Sequence, residues 1–145
     1  METNDSLYAT CVSIEGQGVL LTGPSGAGKS DLALRLIDAG AVLVGDDQVF
    51  VHARRDRLWA RGSEALQGLI EARGIGILRV PFAAEVPIVC GFTLLPDPAL
   101  IERLPDPETR VICGVSVPFF QLYGLGCGAC AIVRRIAGGA RPLAL

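Results

Sequence analysis

The residues best suited to chemistry lie in one run, Gly23-Pro24-Ser25-Gly26-Ala27-Gly28-Lys29-Ser30. It reads G-x-x-x-x-G-K-S. Its glycines let backbone N–H groups converge on phosphate oxygens, and a helix starting at its end adds partial positive charge. Lys29 then reaches the β- and γ-phosphates of a nucleotide such as ATP, and Ser30 offers a hydroxyl to Mg²⁺. The pattern is informative only between a strand and a helix, and both flanks agree. Residues 18–22 form an apolar run that reads as a buried strand. Residues 31–39 read as a helix, apolar at Leu32, Ala33, Leu34, Leu36 and Ile37, and Gly40 ends it.

A phosphate cradle does not say what happens to the phosphate. Asp46-Asp47 follows the short apolar strand 41–44 directly. The C-terminal ends of strands are where open α/β sheets place ligands. One carboxylate there could hold a metal-bound water, and one could take a proton from an attacking hydroxyl. Gly45-Asp46-Asp47 is also a good turn sequence in its own right. A third stretch, Glu71-Ala72-Arg73-Gly74-Ile75-Gly76-Ile77-Leu78, packs an acid, a base and two glycines between apolar residues. Glu71 could add a second oxygen to a metal. By spacing alone, a glycine loop with a solvated ion pair explains it as well.

The positioning elements follow from pattern. Residues 9–14 read as a strand, and 15–18 as a turn into the strand before the glycine run, so the two pair antiparallel. Residues 49–52 and 58–60 flank a polar turn and read as a hairpin. Residues 66–71 read as a short helix, and 77–80 as a strand stopped by Pro81. Residues 85–92 read as a strand in which Pro87 marks an edge or an irregular start. Residues 95–108 carry four prolines and several acids and read as a surface loop with a helical turn around 99–103. Residues 110–113 and 115–118 are closing strands, and 129–137 a helix. The run 118–123 is apolar enough for an interface or for core. Strand content exceeds regular βαβ alternation, which points to an α/β fold with a mixed sheet.

With 145 residues, 50% hydrophobic and 19% charged, the chain can bury one sizeable core. A net charge of −2 argues against a nucleic-acid partner held by a general basic field. The arginines at 54, 55, 57 and 61, and at 134 and 135, read as solvated faces. No run approaches the ~18 apolar residues of a membrane span, and the start is acidic and polar rather than a secretory signal. A cytoplasmic protein with reduced thiols is expected. Cys127-Gly128-Ala129-Cys130 has C-x-x-C spacing, but without a second pair, and with His52 the only histidine, a zinc site lacks ligands.

Together these stretches resemble the C-terminal catalytic domain of the HPr kinase/phosphorylase family, from about Ala9 to about Val117. Three segments carry the resemblance in register: residues 18–31, 43–49 and 70–78. The last is the most specific. The chain looks like the short form found in alphaproteobacteria, which has no N-terminal domain, so residues 1–145 are expected to be one kinase domain. The implied fold is α/β, a single P-loop domain with a mixed, strand-rich, PEP-carboxykinase-like sheet. The implied activity is an ATP- and Mg²⁺-dependent protein-serine kinase. It acts on HPr, the phosphocarrier of the sugar phosphotransferase system, and phosphorolysis of the product accompanies it. Residues 23–30 would bind ATP, with Lys29 catalytic. Ser30 and Glu71 would hold Mg²⁺. Asp46 would accept the serine proton and return it in the reverse direction. Arg103 matches a catalytic arginine. Family members assemble as hexamers.

The chain departs from the family pattern in four places. Tyr8 stands where the family carries a histidine, Glu102 where aspartate precedes the arginine, and Arg79 where the signature ends in an acid. The segment from Val117 to Cys130 carries no Lys or Arg. Two other readings of the same residues stay open: a nucleotide-responsive regulator with little catalysis, and a P-loop kinase of a small metabolite.

Overall fold

The structure is a computed structural model that describes residues 4–143. The chain opens with β1 (Asn4–Leu7), β2 (Thr10–Ile14) and β3 (Gln17–Thr22). Helix α1 (Lys29–Asp38) follows the glycine run. Gly40 adopts φ 111° just beyond it, a left-handed conformation that a glycine supplies at no steric cost. Then come β4 (Val42–Gly45), β5 (Val49–Arg54) and β6 (Arg57–Arg61). A small hairpin follows, β7 (Leu69–Ala72) with β8 (Gly76–Arg79). The long β9 (Glu85–Leu94) leads through an irregular segment to β10 (Glu108–Ile112), β11 (Val115–Leu122) and the closing helix α2 (Ala129–Ala137).

The main sheet has nine strands, ordered β1-β5-β6-β9-β3-β2-β4, with β11 also on β9 and β10 on β11. It is mixed. β9 runs parallel to both β3 and β11, whereas β2 is antiparallel to β3 and to β4. Strands β3, β4, β9 and β11 therefore point the same way and end at one edge of the sheet. That edge carries the glycine run, Asp46, residues 95–107 and residues 123–128.

Side chains alternate between two cores, as the period of a strand requires. Val12, Val19, Leu21, Phe92 and Leu94 face the helices and meet Leu32, Leu36 and Val133. Cys11, Leu20 and Val44 face the other way and meet Val51, Leu58 and Phe119. The apolar run 118–123 belongs to this scheme: Phe119 and Leu122 are buried, while Phe120 packs beside Phe92 with ring centroids 5.6 Å apart.

Two expectations are corrected. Residues 66–71 are not a helix. A single 3₁₀ turn spans Glu64–Leu66, and the chain then enters β7. Gly68 explains the break: its φ is 72°, and a Cβ there would lie 2.9 Å from Phe82 and from the Val80 carbonyl oxygen. Pro87 does not mark an edge strand. β9 has β3 on one side and β6, then β11, on the other. The irregular-start alternative holds, because the ladder to β3 is bulged between Gly18 and Val19, where Gly18 opposes Ile88 next to Pro87.

The arginines at 54, 55, 57 and 61 are exposed, as a solvated face requires, and Arg54 and Arg61 also lie on aromatic rings. Arg54 stacks on the Trp59 ring at 4.2 Å and Arg61 on the Phe50 ring at 5.0 Å. The cysteines are free thiols, with Cys127 exposed and Cys130 half-buried.

Close packing between β9 and β11 yields a stability prediction. A Cβ on Gly91 would lie 2.3 Å from the buried Phe119 ring. Gly91→Ala is expected to cost about 1–3 kcal/mol by overpacking, seen as a lower urea midpoint with an unchanged m-value.

Candidate active site

The glycine run wraps from the end of β3 into the first turn of α1. Gly23 has φ 141°, and a Cβ there would sit 2.5 Å from the Leu94 carbonyl oxygen. Gly28 caps α1 with φ 96° and no side-chain cap. The first-turn N–H groups of the helix are therefore left facing the loop, where an anion can take them.

Lys29, the only lysine in the sequence, is buried within this loop. Its Nζ donates to the Gly23 carbonyl oxygen at 2.8 Å and to that of Pro24 at 3.3 Å. The Tyr8 ring covers it, 4.7 Å from nitrogen to centroid. Ser30, one residue on, donates its hydroxyl to Asp46 Oδ1 at 2.7 Å.

Asp46 is the hub. Thr10 Oγ1 also donates to its Oδ1, at 3.0 Å, and the Glu71 backbone N–H donates to its Oδ2 at 3.3 Å. The Thr10 hydroxyl in turn accepts from the Asp47 N–H at 3.2 Å, which anchors the left-handed turn at Asp47, φ 61°. A carboxylate oxygen carries two lone pairs. Both on Oδ1 are taken, while Oδ2 keeps one.

Asp47 makes no side-chain hydrogen bond among the described residues. Partial burial raises its pKa, and the neighbouring Asp46 and Glu71 carboxylates raise it further, against the opposing pull of Lys29. Among the described residues no three His, Cys, Asp or Glu side chains converge into an ion cage. The oxygen donors present, the Ser30 hydroxyl with Asp46 and Glu71 nearby, suit Mg²⁺, which takes one or two carboxylates and completes its shell from phosphate and water. Three carboxylates around a single lysine also leave the cleft short of positive charge for a triphosphate. That deficit is one a divalent cation fills.

The structure thus brings Lys29, Ser30, Asp46 and the Glu71 backbone together at one edge. It leaves Arg103 exposed on residues 95–107, outside this hydrogen-bonded cluster. Two groups escaped the sequence reading. Thr10 is fully buried at the start of β2, a polar residue in a largely apolar strand. Arg35 had no such sequence signal. From α1 it pairs with Asp31 at 2.9 Å and donates to the carbonyl oxygens of Gly124 and Gly126, clamping residues 123–128 against the loop. Leu125, in that segment, lies over Gly28. Two surface clefts, of about 590 Å³ beside Glu15 and Arg135 and about 420 Å³ beside Phe50 and Arg61, lie away from these residues.

The raised Asp47 carboxyl sets a pH signature. A carboxyl whose folded pKa exceeds the ordinary value of 3.8 favours the folded state at low pH and loses that contribution as pH rises through its folded value. Asp47→Asn removes the penalty and suits the left-handed turn. The variant should be more stable than wild type at neutral pH, and the gap should close as pH falls toward 4. Urea midpoints of both proteins across that range check it.

A family model described as the HPr Serine kinase C-terminal domain matches residues 1–94. The HPr kinase/phosphorylase of Lactobacillus delbrueckii subsp. bulgaricus is 37% identical over 77% of this chain and 39% of its own length. That of Limosilactobacillus reuteri is 42% identical over 78% of this chain and 39% of its own. The chain thus spans about two fifths of the length of these curated relatives. Among solved structures, the Hpr(Ser) kinase/phosphatase from Coxiella burnetii superposes with a TM-score of 0.82 at 26% identity, covering 92% of this chain and 94% of that one.

Proposed function

The chain belongs to the HPr serine kinase C-terminal domain family, and on that premise we propose that it is an ATP- and Mg²⁺-dependent kinase of a serine on an HPr-type phosphocarrier. The observation that carries the reading is the 2.7 Å hydrogen bond from Ser30 to Asp46, which joins the phosphate cradle to a carboxylate in one constellation.

In this reading the first-turn N–H groups of α1 and the backbone of residues 23–28 bind the phosphates, and Lys29 meets the γ-phosphate. Ser30 and Glu71 would hold Mg²⁺, which would supply positive charge beside the phosphates. Asp46 takes the proton of the attacking serine on the open lone pair of Oδ2, while Thr10 and Ser30 fix the carboxylate through Oδ1. The serine oxygen forms a bond to phosphorus as the bond to the β-phosphate oxygen breaks, and ADP leaves. Run backwards with inorganic phosphate as acceptor, the same groups return the proton to the serine and release pyrophosphate. Arg103, exposed on residues 95–107, would be the catalytic arginine of this reading. All of residues 1–145 would form one catalytic domain, acting in the cytoplasm as part of a hexamer.

Exposed apolar side chains on segments at or next to this edge support a protein substrate. Tyr8, Ile75, Leu100, Leu104 and Leu125 all remain open to solvent, more than a small metabolite would need.

Transfer from labelled ATP to a serine of an HPr-type carrier, with Mg²⁺ and enzyme in excess, tests the proposal, and absence of transfer under those conditions would end it. Lys29→Ala is expected to abolish transfer, since the γ-phosphate loses its charge partner. Asp46→Asn should retain ATP binding yet slow transfer roughly 10²–10⁴-fold, the usual cost of removing a general base. An unchanged rate would remove Asp46 from that role.

A further inference from the structure

We propose that Tyr8 is a resident cap on the P-loop lysine, one that nucleotide phosphates displace to reach Lys29. The inference rests on the nucleotide-binding reading above and concerns the regulation of that same site.

An ammonium has three N–H donors. In this structure two of them go to the loop's own carbonyl oxygens, at Gly23 and Pro24. The Tyr8 ring lies over the same nitrogen at 4.7 Å, within cation–π range. Lys29 is thus satisfied by its own chain before any ligand arrives, and a phosphate oxygen has to replace one of these partners. The carbonyls belong to backbone that is packed in place, Gly23 tight against Leu94. Tyr8 differs. It is 62% exposed and sits in the bend between β1 and β2. Rotating its side chain into solvent disturbs no core contact, so the ring is the partner that leaves at least cost.

An exposed cation–π contact is worth about two- to fivefold in an equilibrium constant. That is the factor by which the cap holds down affinity for ligands that need Lys29. Ligands lacking β- and γ-phosphates do not compete with the ring and escape the effect. The opposite role is physically possible and has the opposite sign: a ring that preorganises Lys29 would strengthen nucleotide binding.

The lone lysine makes the contact directly observable. Protein labelled with ε-¹³C-lysine gives one side-chain ε signal. In wild type and in Tyr8→Phe its protons should be shifted upfield by the ring current, and in Tyr8→Leu they should return to the free-lysine position. Adding ATP with Mg²⁺ should move the wild-type signal off its ring-shifted position. By calorimetry, Tyr8→Leu should bind ATP about two- to fivefold more tightly than wild type, Tyr8→Phe should restore the wild-type value, and AMP should bind all three alike.

An unshifted wild-type signal would overturn the contact. Weaker ATP binding by Tyr8→Leu would overturn the cap and make Tyr8 a positioning residue for Lys29. Equal ATP binding by all three proteins would overturn the cap alone, leaving the nucleotide reading intact. ATP binding to none of them would overturn both.

Discussion

The hydrogen bond between Ser30 and Asp46 is the contact on which the rest of the edge depends. It joins the first turn of α1 to the end of β4. Through the same carboxylate, Thr10 ties in the start of β2, and the Glu71 N–H ties in the β7–β8 hairpin. Four segments converge on one side chain that is only partly exposed. A carboxylate in that position needs its partners, because a half-buried acceptor left unpaired carries its full desolvation cost. The requirement runs both ways: the carboxylate holds the segments, and the segments keep it from water.

That convergence is made possible by register. β2 pairs with β3 so that Thr10 opposes Leu21, and with β4 so that Cys11 opposes Gly45. The ends of β3 and β4 are thereby brought level on either side of Thr10. Parallel pairing of β9 with β3 and β11 brings Leu94 and Leu122 to the same line. The glycines then have a packing reason as well as a ligand reason. Gly23 admits the Leu94 backbone and Gly28 admits Leu125, so the phosphate loop is buttressed from behind by β9 and by the segment after β11. Arg35 closes the arrangement by holding the carbonyl oxygens of Gly124 and Gly126.

Electrostatics gives this edge its character. One lysine, already engaged by the Gly23 and Pro24 carbonyl oxygens and covered by Tyr8, acts on Asp47, whose other charged neighbours are Asp46 and Glu71. Such a site is poised for a ligand that brings both anionic phosphate and a cation to balance the carboxylates. The likeness to the Coxiella burnetii protein extends over 92% of the chain, so the edge stands on a framework shared well beyond the motif itself.

Local pattern carried much of this chain. The strand–glycine loop–helix unit, the β5–β6 hairpin, the β10–β11 pair and helix α2 all follow from periodicity, turn residues and breakers, since those act through backbone conformation within a few residues. Asp46 was legible as a candidate because an acid directly after an apolar strand is conspicuous, whereas Glu71 was weak by spacing alone and drew its role from the family resemblance. What tertiary structure decided is how those groups meet. Thr10 reaches Asp46 across 36 residues, Arg35 reaches Gly124 across 89, and Tyr8 settles on Lys29. Residues 69–72 became a strand because Gly68 breaks any helix against Phe82 and Val80, neighbours that only the folded chain supplies. A sequence specifies dihedral preferences and which faces are apolar. Strand register and hydrogen-bond partners distant along the chain are chosen by the packed sheet as a whole, where a shift of one residue would turn every buried side chain to solvent.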